Sequence, residues 1–167
     1  MKPARSYSFG RPGTGLNVEL IDFIAKRIGP RGWDSLRTAT LGCFCGQDII
    51  GATVFHDWNP EAGVMAMSGA GDPGWMTNRH IFLAHWYIFE ASGCQLAVMQ
   101  VSERNDRMRK TAEHFGYRGH VIPRLRGKDE AEVIYTLPVE DWLANKFTQR
   151  ALSRKKKPSG VSSTGRL

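Results

Sequence analysis

The sequence predicts an α/β fold in which a mixed, mostly antiparallel, twisted sheet carries helices on both faces. Two observations support this prediction. Segments with apolar residues at helical spacing alternate with short β-rich runs, which is the pattern of a layered α/β domain. Two of these runs are joined by Gly46-Gln47, a dipeptide typical of an antiparallel hairpin, whereas a later apolar run follows a long helix. A sheet with both kinds of connection is mixed.

The first half of the chain predicts one helix and three strands. In "NVELIDFIAKRIGPRG" the apolar positions recur at helical spacing, with Asn17 placed to cap the start and Gly29 and Pro30 placed to end the helix. "TATLGCFC" and "DIIGATVF" form the predicted hairpin. "EAGVMAMSGAG" is expected to be the third antiparallel strand.

The second half predicts a buried helix, a buried strand and three further elements. "TNRHIFLAHWYIFEASG" is apolar nearly all round, with Thr77 as a possible cap, and "CQLAVMQVS" has the continuous apolar character of a strand covered on both faces. A short helix follows in "SERNDRMRKTAEHFGY", with Asn105 at its junction with the strand. "YRGHVIP" and "EAEVIYTLP" predict two strands, and "VEDWLANKF" predicts a last helix.

Length and composition predict one folded domain with two terminal extensions. At 167 residues the chain suits a single core. We divide it into a flexible N-terminal segment (1–15), a domain (16–147) and a basic, disordered tail (148–167). The longest apolar run is far short of the roughly 20 residues that cross a bilayer, and the N-terminus lacks a signal-peptide core. These features predict a soluble cytoplasmic protein without a membrane partner.

The net charge of +7 is concentrated at the C-terminal end. Seven basic residues and no acidic ones lie beyond position 145, and without them the chain has 16 basic and 16 acidic residues. A basic end of this kind attracts nucleic acid or an acidic partner. It can equally be a solvated end that aids solubility.

The glycine-rich segment "SGAGDPGWMTNRH" lies between the third strand and the buried helix. Gly69, Gly71 and Gly74 match a dinucleotide-binding fingerprint, but antiparallel strands precede them, and the acidic residue expected about 20 positions further on is missing. A loop that leads into a helix start still exposes free N–H groups that can bind phosphate. The alternative is that the glycines only make a sharp turn.

The three cysteines predict no metal centre. Cys43 and Cys45 are two residues apart on a predicted strand, and no set of four ligands with zinc spacing accompanies them. We interpret these two cysteines and Cys94 as ordinary strand residues of a reduced protein.

The segment "HWYIFEASGCQLAVMQVSERNDRMRKTAEHFGYRGHVIPR" resembles the GCN5-related N-acetyltransferase (GNAT) superfamily. Its nearest likeness is to the branch that acetylates protein N-termini and to degenerate phage-encoded relatives. The likeness covers residues 38–137 and is best over 75–124. The matching positions are Tyr87, Phe89, Gly93, Asn105, Gly116, Tyr117 and Gly119.

This resemblance implies that acetyl-CoA is the co-substrate and that two parallel central strands splay apart to hold its pantetheine arm. The third strand would pair with that arm, the start of the buried helix would meet the pyrophosphate, and Asn105 would point its amide at the cofactor. For Asn105 a plain helix cap is an equal alternative. The residues expected at acetyl-CoA are Met67, Ser68, Gly69, Trp75, Met76, Thr77, Asn78 and Asn105.

The chain departs from the family pattern at several positions. Trp75 and Met76 replace small residues of the pyrophosphate loop, and they would block the diphosphate if they point inward. Ala112 stands where many members have a tyrosine that protonates the departing thiolate, and Met108 stands where the N-terminal branch often has serine. The catalytic residues therefore remain unassigned.

Two polar side chains near strand ends are candidates for the missing base. His56 and Glu61 lie near the ends of predicted strands, but a lone histidine at such a position is more typical of a surface residue. Losing a general acid or base costs typically 10²–10⁴-fold in rate, so the departures weaken an enzymatic interpretation without excluding it.

Three functions follow as hypotheses. The first is acetyl-CoA-dependent acetylation of an unidentified amine by direct attack, in the cytoplasm of a bacterium or a phage-infected host cell. The second is a catalytically degenerate GNAT-fold protein that acts as a binding or structural component, with its basic tail on nucleic acid or an acidic partner. The third is single-strand binding through tryptophans, for which core packing of Trp75, Trp86 and Trp142 is the simpler explanation.

Overall fold

The computed structural model describes residues 3–155, which form one seven-stranded mixed sheet with helices on both faces. This confirms the predicted fold class. The strand order is β1-β2-β3-β4-β5-β7-β6. The strands are β1 Arg5–Gly10, β2 Ala39–Cys45, β3 Asp48–Asn59, β4 Val64–Gly71, β5 Leu96–Ser102, β6 Arg118–Ile122 and β7 Glu132–Pro138. The helices are α1 Gly15–Ile28, α2 Asn78–Trp86, α3 Asp106–His114, α4 Val139–Ala144 and α5 Lys146–Lys155.

The sheet divides the core into two layers. On one face α1 packs Leu20 and Ile24 against Ala52 and Val54 of β3. On the other face α2 and α3 cover a larger cluster that includes Phe82. Neighbouring residues of a strand point to opposite faces. In the regular parts of β3 and β4, side chains with even residue numbers therefore face α1, and those with odd numbers face α2 and α3.

Helix α1 begins three residues earlier than predicted, at Gly15, and its cap is not Asn17. Thr14 caps it by accepting a hydrogen bond from the Asn17 N–H at 3.3 Å. The buried Asn17 amide instead donates to the carbonyls of Ser35 (2.9 Å) and Thr38 (2.8 Å). The predicted cap is therefore wrong because this asparagine holds the segment between α1 and β2.

The two terminal regions contain more regular structure than the sequence pattern indicates. Strand β1 lies within the predicted flexible segment and pairs antiparallel with β2 from Arg5 to Gly10. Its Tyr7 and Phe9 pack against the core and alternate with the exposed Ser6 and Ser8, but two apolar positions make too short a pattern to indicate a strand among glycine, proline and basic residues. At the other end, α5 extends past residue 147 and buries Thr148. The rest of the predicted tail, 156–167, lies outside the described residues.

Strand β5 is covered on one face only, contrary to the prediction. Ala97, Met99 and Val101 are buried, whereas Gln100 is exposed. Helix α1 packs on β1 to β4, so the α1 face of β5 has no helix over it. This open face lies beside the candidate site.

Two further findings concern the cysteines and the helices. Cys43 is buried in β2, as predicted, whereas Cys45 of the same strand is only half-buried and the buried Cys94 lies before β5 begins, outside any strand. Among residues 3–155, every helix is too short or too polar to cross a bilayer.

Candidate functional site

The two parallel strands at the centre of the sheet separate after three paired positions. β4 and β5 pair only at Val64–Leu96, Met65–Ala97 and Ala66–Val98. Both strands continue beyond these pairs without bonding to each other. A cavity of about 490 Å³ lies at this gap, lined by residues from both faces of the sheet.

The backbone of β4 turns hydrogen-bonding groups toward the gap. The Asp72 N–H donates to the Ile50 carbonyl at 2.7 Å, in register with the antiparallel β3–β4 ladder. Bonded and non-bonded pairs alternate along such a ladder, so Ser68 bonds toward β3, whereas Met67 and Gly69 direct their N–H and C=O groups toward β5. Because β5 has moved away at this level, these groups face the cavity.

On the α1 face, a chain of three polar side chains lines the cavity. The His56 Nδ1 lies 2.7 Å from the Asp57 Oδ2, and the His56 Nε2 lies 2.9 Å from the Ser68 Oγ. The carboxylate accepts from Nδ1–H, which leaves Nε2 to accept from the serine hydroxyl. The ring of Trp33 lies 5.5 Å from the imidazole, centroid to centroid. Only 12% of the His56 side chain is exposed, so its interpretation as a surface residue is wrong.

A β-bulge turns the side chain of Asp57 toward the side chain of the preceding residue, His56. In a regular strand the side chains of residues 56 and 57 point to opposite faces. The β3–β4 register shifts between His56 and Asn59, and Asp57 has a φ of 51°. This left-handed backbone is uncommon outside glycine, and aspartate adopts it more readily than most residues. No alternation pattern in the sequence reveals such a bulge, so sequence reasoning missed this arrangement.

Two buried histidines line the cavity on the α2–α3 face. The His80 Nε2 lies 2.9 Å from the Thr53 Oγ1, while its Nδ1 has no hydrogen-bond partner among residues 3–155. His85 donates from Nδ1 to the Ile81 carbonyl at 2.7 Å and accepts at Nε2 from the Tyr117 hydroxyl at 2.6 Å. Burial lowers the pKa of each histidine to about 4 and raises the pKa of Tyr117. Both imidazoles are therefore neutral at pH 7.

Trp75 forms a wall of the cavity and leaves the gap open. A Cβ placed on Gly51 or Gly71 would lie 2.3 or 2.4 Å from atoms of the indole, and one on Gly69 would lie 3.0 Å away. The indole therefore rests against β3 and β4, with the His80 ring against it at 4.8 Å. Trp75 does point inward, which is the orientation expected to block the diphosphate, yet a cavity is present beside the indole.

The loop before α2 uses much of its own hydrogen-bonding capacity. The N–H of Trp75 donates to Asp72 O at 3.1 Å, and the N–H of Thr77 donates to Trp75 O at 2.9 Å. The Thr77 hydroxyl accepts from the His80 N–H and bonds the Tyr7 hydroxyl at 2.6 Å. The predicted cap at Thr77 is thus confirmed. Within residues 3–155 the N–H groups of the exposed Asn78 and Arg79 are not bonded, so they are the donors that the start of α2 offers to a phosphate.

Helix α3 forms the outer wall of the gap. The Asn105 Oδ1 accepts from the Met108 N–H at 3.1 Å, so this residue caps the helix and leaves its amide NH₂ to donate elsewhere. Both interpretations of Asn105 are compatible with this position. Ala112 lines the cavity where the resemblance expects a tyrosine, and its carbonyl accepts from the Tyr117 N–H at 3.1 Å. The phenol of Tyr117 also lines the cavity, and its hydroxyl is bonded to His85.

Basic and acidic side chains occur together where the cavity opens on the α1 face of the sheet. The Arg126 Nη1 donates to the Glu132 carboxylate at 2.8 Å, and Arg31 and Asp57 also line the mouth. Within residues 3–155, no three histidine, cysteine or carboxylate side chains come together in a way that could hold a metal ion.

No protein-family model matches the sequence, and no curated protein matches it by sequence. Solved structures do match the fold. A GCN5-related N-acetyltransferase from Brucella melitensis aligns at 18% identity and a TM-score of 0.58, over 77% of this chain and 62% of that one. The ribosomal-protein-S5-alanine acetyltransferase of Vibrio fischeri aligns at 9% identity and 0.62, over 83% and 94%. RimJ of Mycobacterium smegmatis, solved with CoA-disulfide, aligns at 12% and 0.58, over 72% and 61%.

The described part of the chain therefore has the fold of GCN5-related N-acetyltransferases. The chain spans 62–66% of the length of the first matched structures. At these identities the likeness concerns the fold.

Proposed function

We propose that this protein is an acetyl-CoA-dependent N-acetyltransferase that acetylates an amine by direct attack on the thioester. The observation that supports this most is the separation of β4 from β5. It leaves the amides of Met67 and Gly69 facing a cavity in a fold shared with acetyltransferases.

In this proposal the pantetheine arm is bound as an added strand. Its amide groups pair with the gap-facing N–H and C=O groups of Met67 and Gly69, because an unpaired strand edge accepts an extended ligand through its backbone. Ser68 lies between them and borders the acyl group. Trp75 and Met76 pack against the arm as cavity walls.

The diphosphate lies at the start of α2. Asn78 and the following residue supply first-turn amides at the positive end of the helix dipole, with the exposed Arg79 beside them. Thr77 acts here by holding this helix start through its cap. On the opposite wall, Asn105 donates its free amide to the cofactor while it caps α3.

The amine enters from the α1 face, where the sheet beside β5 is uncovered. Its nitrogen attacks the carbonyl carbon, the C–S bond breaks, and the thiolate of CoA leaves. His56 is the proposed proton acceptor, since the Asp57 carboxylate accepts from its Nδ1–H, which places the lone pair of the neutral ring on Nε2, and this Nε2 lies at the cavity through Ser68. General-base catalysis contributes about 10²–10⁴-fold, and the rest of the acceleration comes from orientation.

The test is stabilisation by CoA. Binding at 100 times Kd adds about 2.7 kcal/mol to the free energy of unfolding, so thermal unfolding with millimolar CoA should show a clear rise in Tm. Asn105→Asp preserves the cap but puts a carboxylate at the mouth, and it should weaken this effect by repelling the diphosphate. An unchanged Tm of the wild-type protein at saturating CoA contradicts the proposal.

The binding-protein alternative is favoured by one observation. The loop before α2 bonds to itself through Trp75 and Thr77, which reduces the donors that it offers to a diphosphate. In that case the basic segment 148–167 would act on nucleic acid. Deleting residues 156–167, which keeps α5 and the buried Thr148, and measuring DNA retention across a salt series tests this function, because phosphate contacts give affinities that fall steeply with salt.

A further inference from the structure

The Asp57–His56–Ser68 chain has the connectivity of a nucleophile activated by a base. A hydroxyl lies within hydrogen-bond reach of one imidazole nitrogen, at 2.9 Å, and a carboxylate bonds the other nitrogen at 2.7 Å. Such a unit is recognised by geometry and roles and not by the order of its residues in the chain. All three residues line the cavity.

The surroundings of Ser68 match what an attacking hydroxyl needs. Its neighbours Met67 and Gly69 direct their backbone N–H groups into the gap, and one of these that is not paired with the pantetheine arm can stabilise an oxyanion. The bulge that brings Asp57 to His56 holds a non-glycine residue at positive φ. Such backbone strain, of order 1–3 kcal/mol, clusters at functional sites.

We propose that Ser68 itself accepts an acyl group and that the protein hydrolyses activated acyl esters and thioesters through an acyl-serine. The His56 Nε2 takes the Ser68 proton as Oγ attacks the carbonyl carbon. The C–S or C–O bond of the leaving group then breaks, and the leaving group takes that proton. Water, deprotonated by His56, attacks the serine ester, which releases the carboxylic acid and regenerates Ser68. The inference rests on the proposed function only in naming acetyl-CoA as the natural donor.

The other two hydroxyl–imidazole pairs at the cavity lack this capacity. Among residues 3–155, no carboxylate bonds the second ring nitrogen of the Thr53–His80 or the Tyr117–His85 pair; this nitrogen has no partner in His80 and bonds the Ile81 carbonyl in His85. Neither pair can stabilise the imidazolium that forms when the hydroxyl loses its proton. Thr53 therefore serves as an internal comparison for Ser68.

The experiment uses p-nitrophenyl acetate, an activated ester that needs no CoA site. The full-length protein is mixed with the ester, release of p-nitrophenolate is followed in time, and the acetylated residue is located by mass spectrometry of peptides. We expect rapid release of one equivalent, acetate ester on Ser68, and slower turnover. Ser68→Ala should abolish both the label and the burst, and His56→Gln should slow acylation by about 100-fold or more. Asp57→Asn should slow it less.

Two controls and the CoA measurement separate the outcomes. Ser102→Ala removes a serine of the same cavity that donates to Glu130 and not to a histidine, and Thr53→Val removes the hydroxyl of a pair without a carboxylate; both should acylate at the wild-type rate. Thermal unfolding verifies that each variant folds. Absence of a burst in the wild-type protein, or a label that persists in Ser68→Ala, overturns the inference. Either result leaves CoA binding, measured separately, to decide the proposed function.

Discussion

Hydroxyl–imidazole pairs reach the same cavity from the two faces of the sheet, and they are built differently. On the α1 face, His56 bonds Ser68, has a carboxylate on its other nitrogen and keeps contact with water. On the α2–α3 face, His80 and His85 bond Thr53 and Tyr117, are nearly fully buried and have no carboxylate.

This difference separates a reactive group from structural ones. A histidine can take up a proton during a reaction only if the cation that forms is stabilised, and a bonded carboxylate supplies that stabilisation. Burial does the opposite for His80 and His85, whose pKa falls to about 4. One face of the gap is therefore suited to proton transfer, and the other is suited to holding a neutral wall.

The largest expected effect is on turnover. His56→Gln removes the proposed proton acceptor, so kcat for acetyl transfer should fall by about 10²–10⁴-fold, measured as CoA thiol release with an amine found by screening. His80→Gln is the matched variant from the other face, where we expect mainly a loss of stability. Equal losses of kcat in the two variants would remove the distinction between the faces.

The next effect is a loss of stability in acid. Because the folded pKa of His80 and of His85 is about 4, below the ordinary 6.5, the unfolded chain binds protons first as the pH falls. Stability is full above pH 7 and is lost as the pH falls from 6.5 toward 4, by roughly 2 kcal/mol per histidine between pH 8 and pH 5. Urea unfolding at the two pH values measures this loss. His85→Gln should remove about half of it, and an unchanged loss would contradict the assignment.

A third effect concerns the Trp75 wall. The added Cβ of Gly51→Ala would overlap the indole, 2.3 Å away, and should destabilise the protein by about 1–3 kcal/mol. In a Trp75→Ala background the same change should cost little, because the overlapping atoms are gone. Urea unfolding of the four proteins gives the coupling energy, and additive losses would show that the indole does not rest on β3.

A smaller effect is expected at Tyr117. Tyr117→Phe leaves the buried His85 Nε2 without its donor, which costs about 1–3 kcal/mol. The change in unfolding free energy at pH 8 measures this cost. Tyr87→Phe, on a half-buried tyrosine, is the comparison, and it should cost less. A negligible change in the unfolding free energy of Tyr117→Phe would mean that the hydrogen bond between Tyr117 and His85 does not contribute to stability.

The smallest stability effect should be at Asp57. Its side chain is 77% exposed, and exposed ion pairs contribute little, so Asp57→Asn should change the unfolding free energy by no more than about 0.5 kcal/mol. The same variant should slow acylation of Ser68. A large loss of stability would instead make Asp57 a structural residue of the bulge.

Much of the fold follows from local pattern. The hairpin at Gly46-Gln47, the cap at Thr77 and the cap at Asn105 were predicted because turn and cap preferences depend on a few adjacent residues. β1 was missed because it has only two alternating apolar residues, Tyr7 and Phe9, and forms a strand by pairing with β2. The role of Asn17 was also missed because the partners of its side chain lie 18 to 23 residues away, beyond the reach of a local pattern.

The candidate site divides in the same way. By itself the sequence determined the order of most helices and strands and the apolar strands, since period and caps are local properties. The likeness read from the same segments is the basis for the prediction that acetyl-CoA lies at Met67 to Gly69 and Asn105. The tertiary structure alone decided that His56, Asp57 and Ser68 form one chain, and that Trp75 rests on glycines of β3 and β4. These contacts depend on a bulge and on strand register, which are set when distant segments pair and which no single segment encodes.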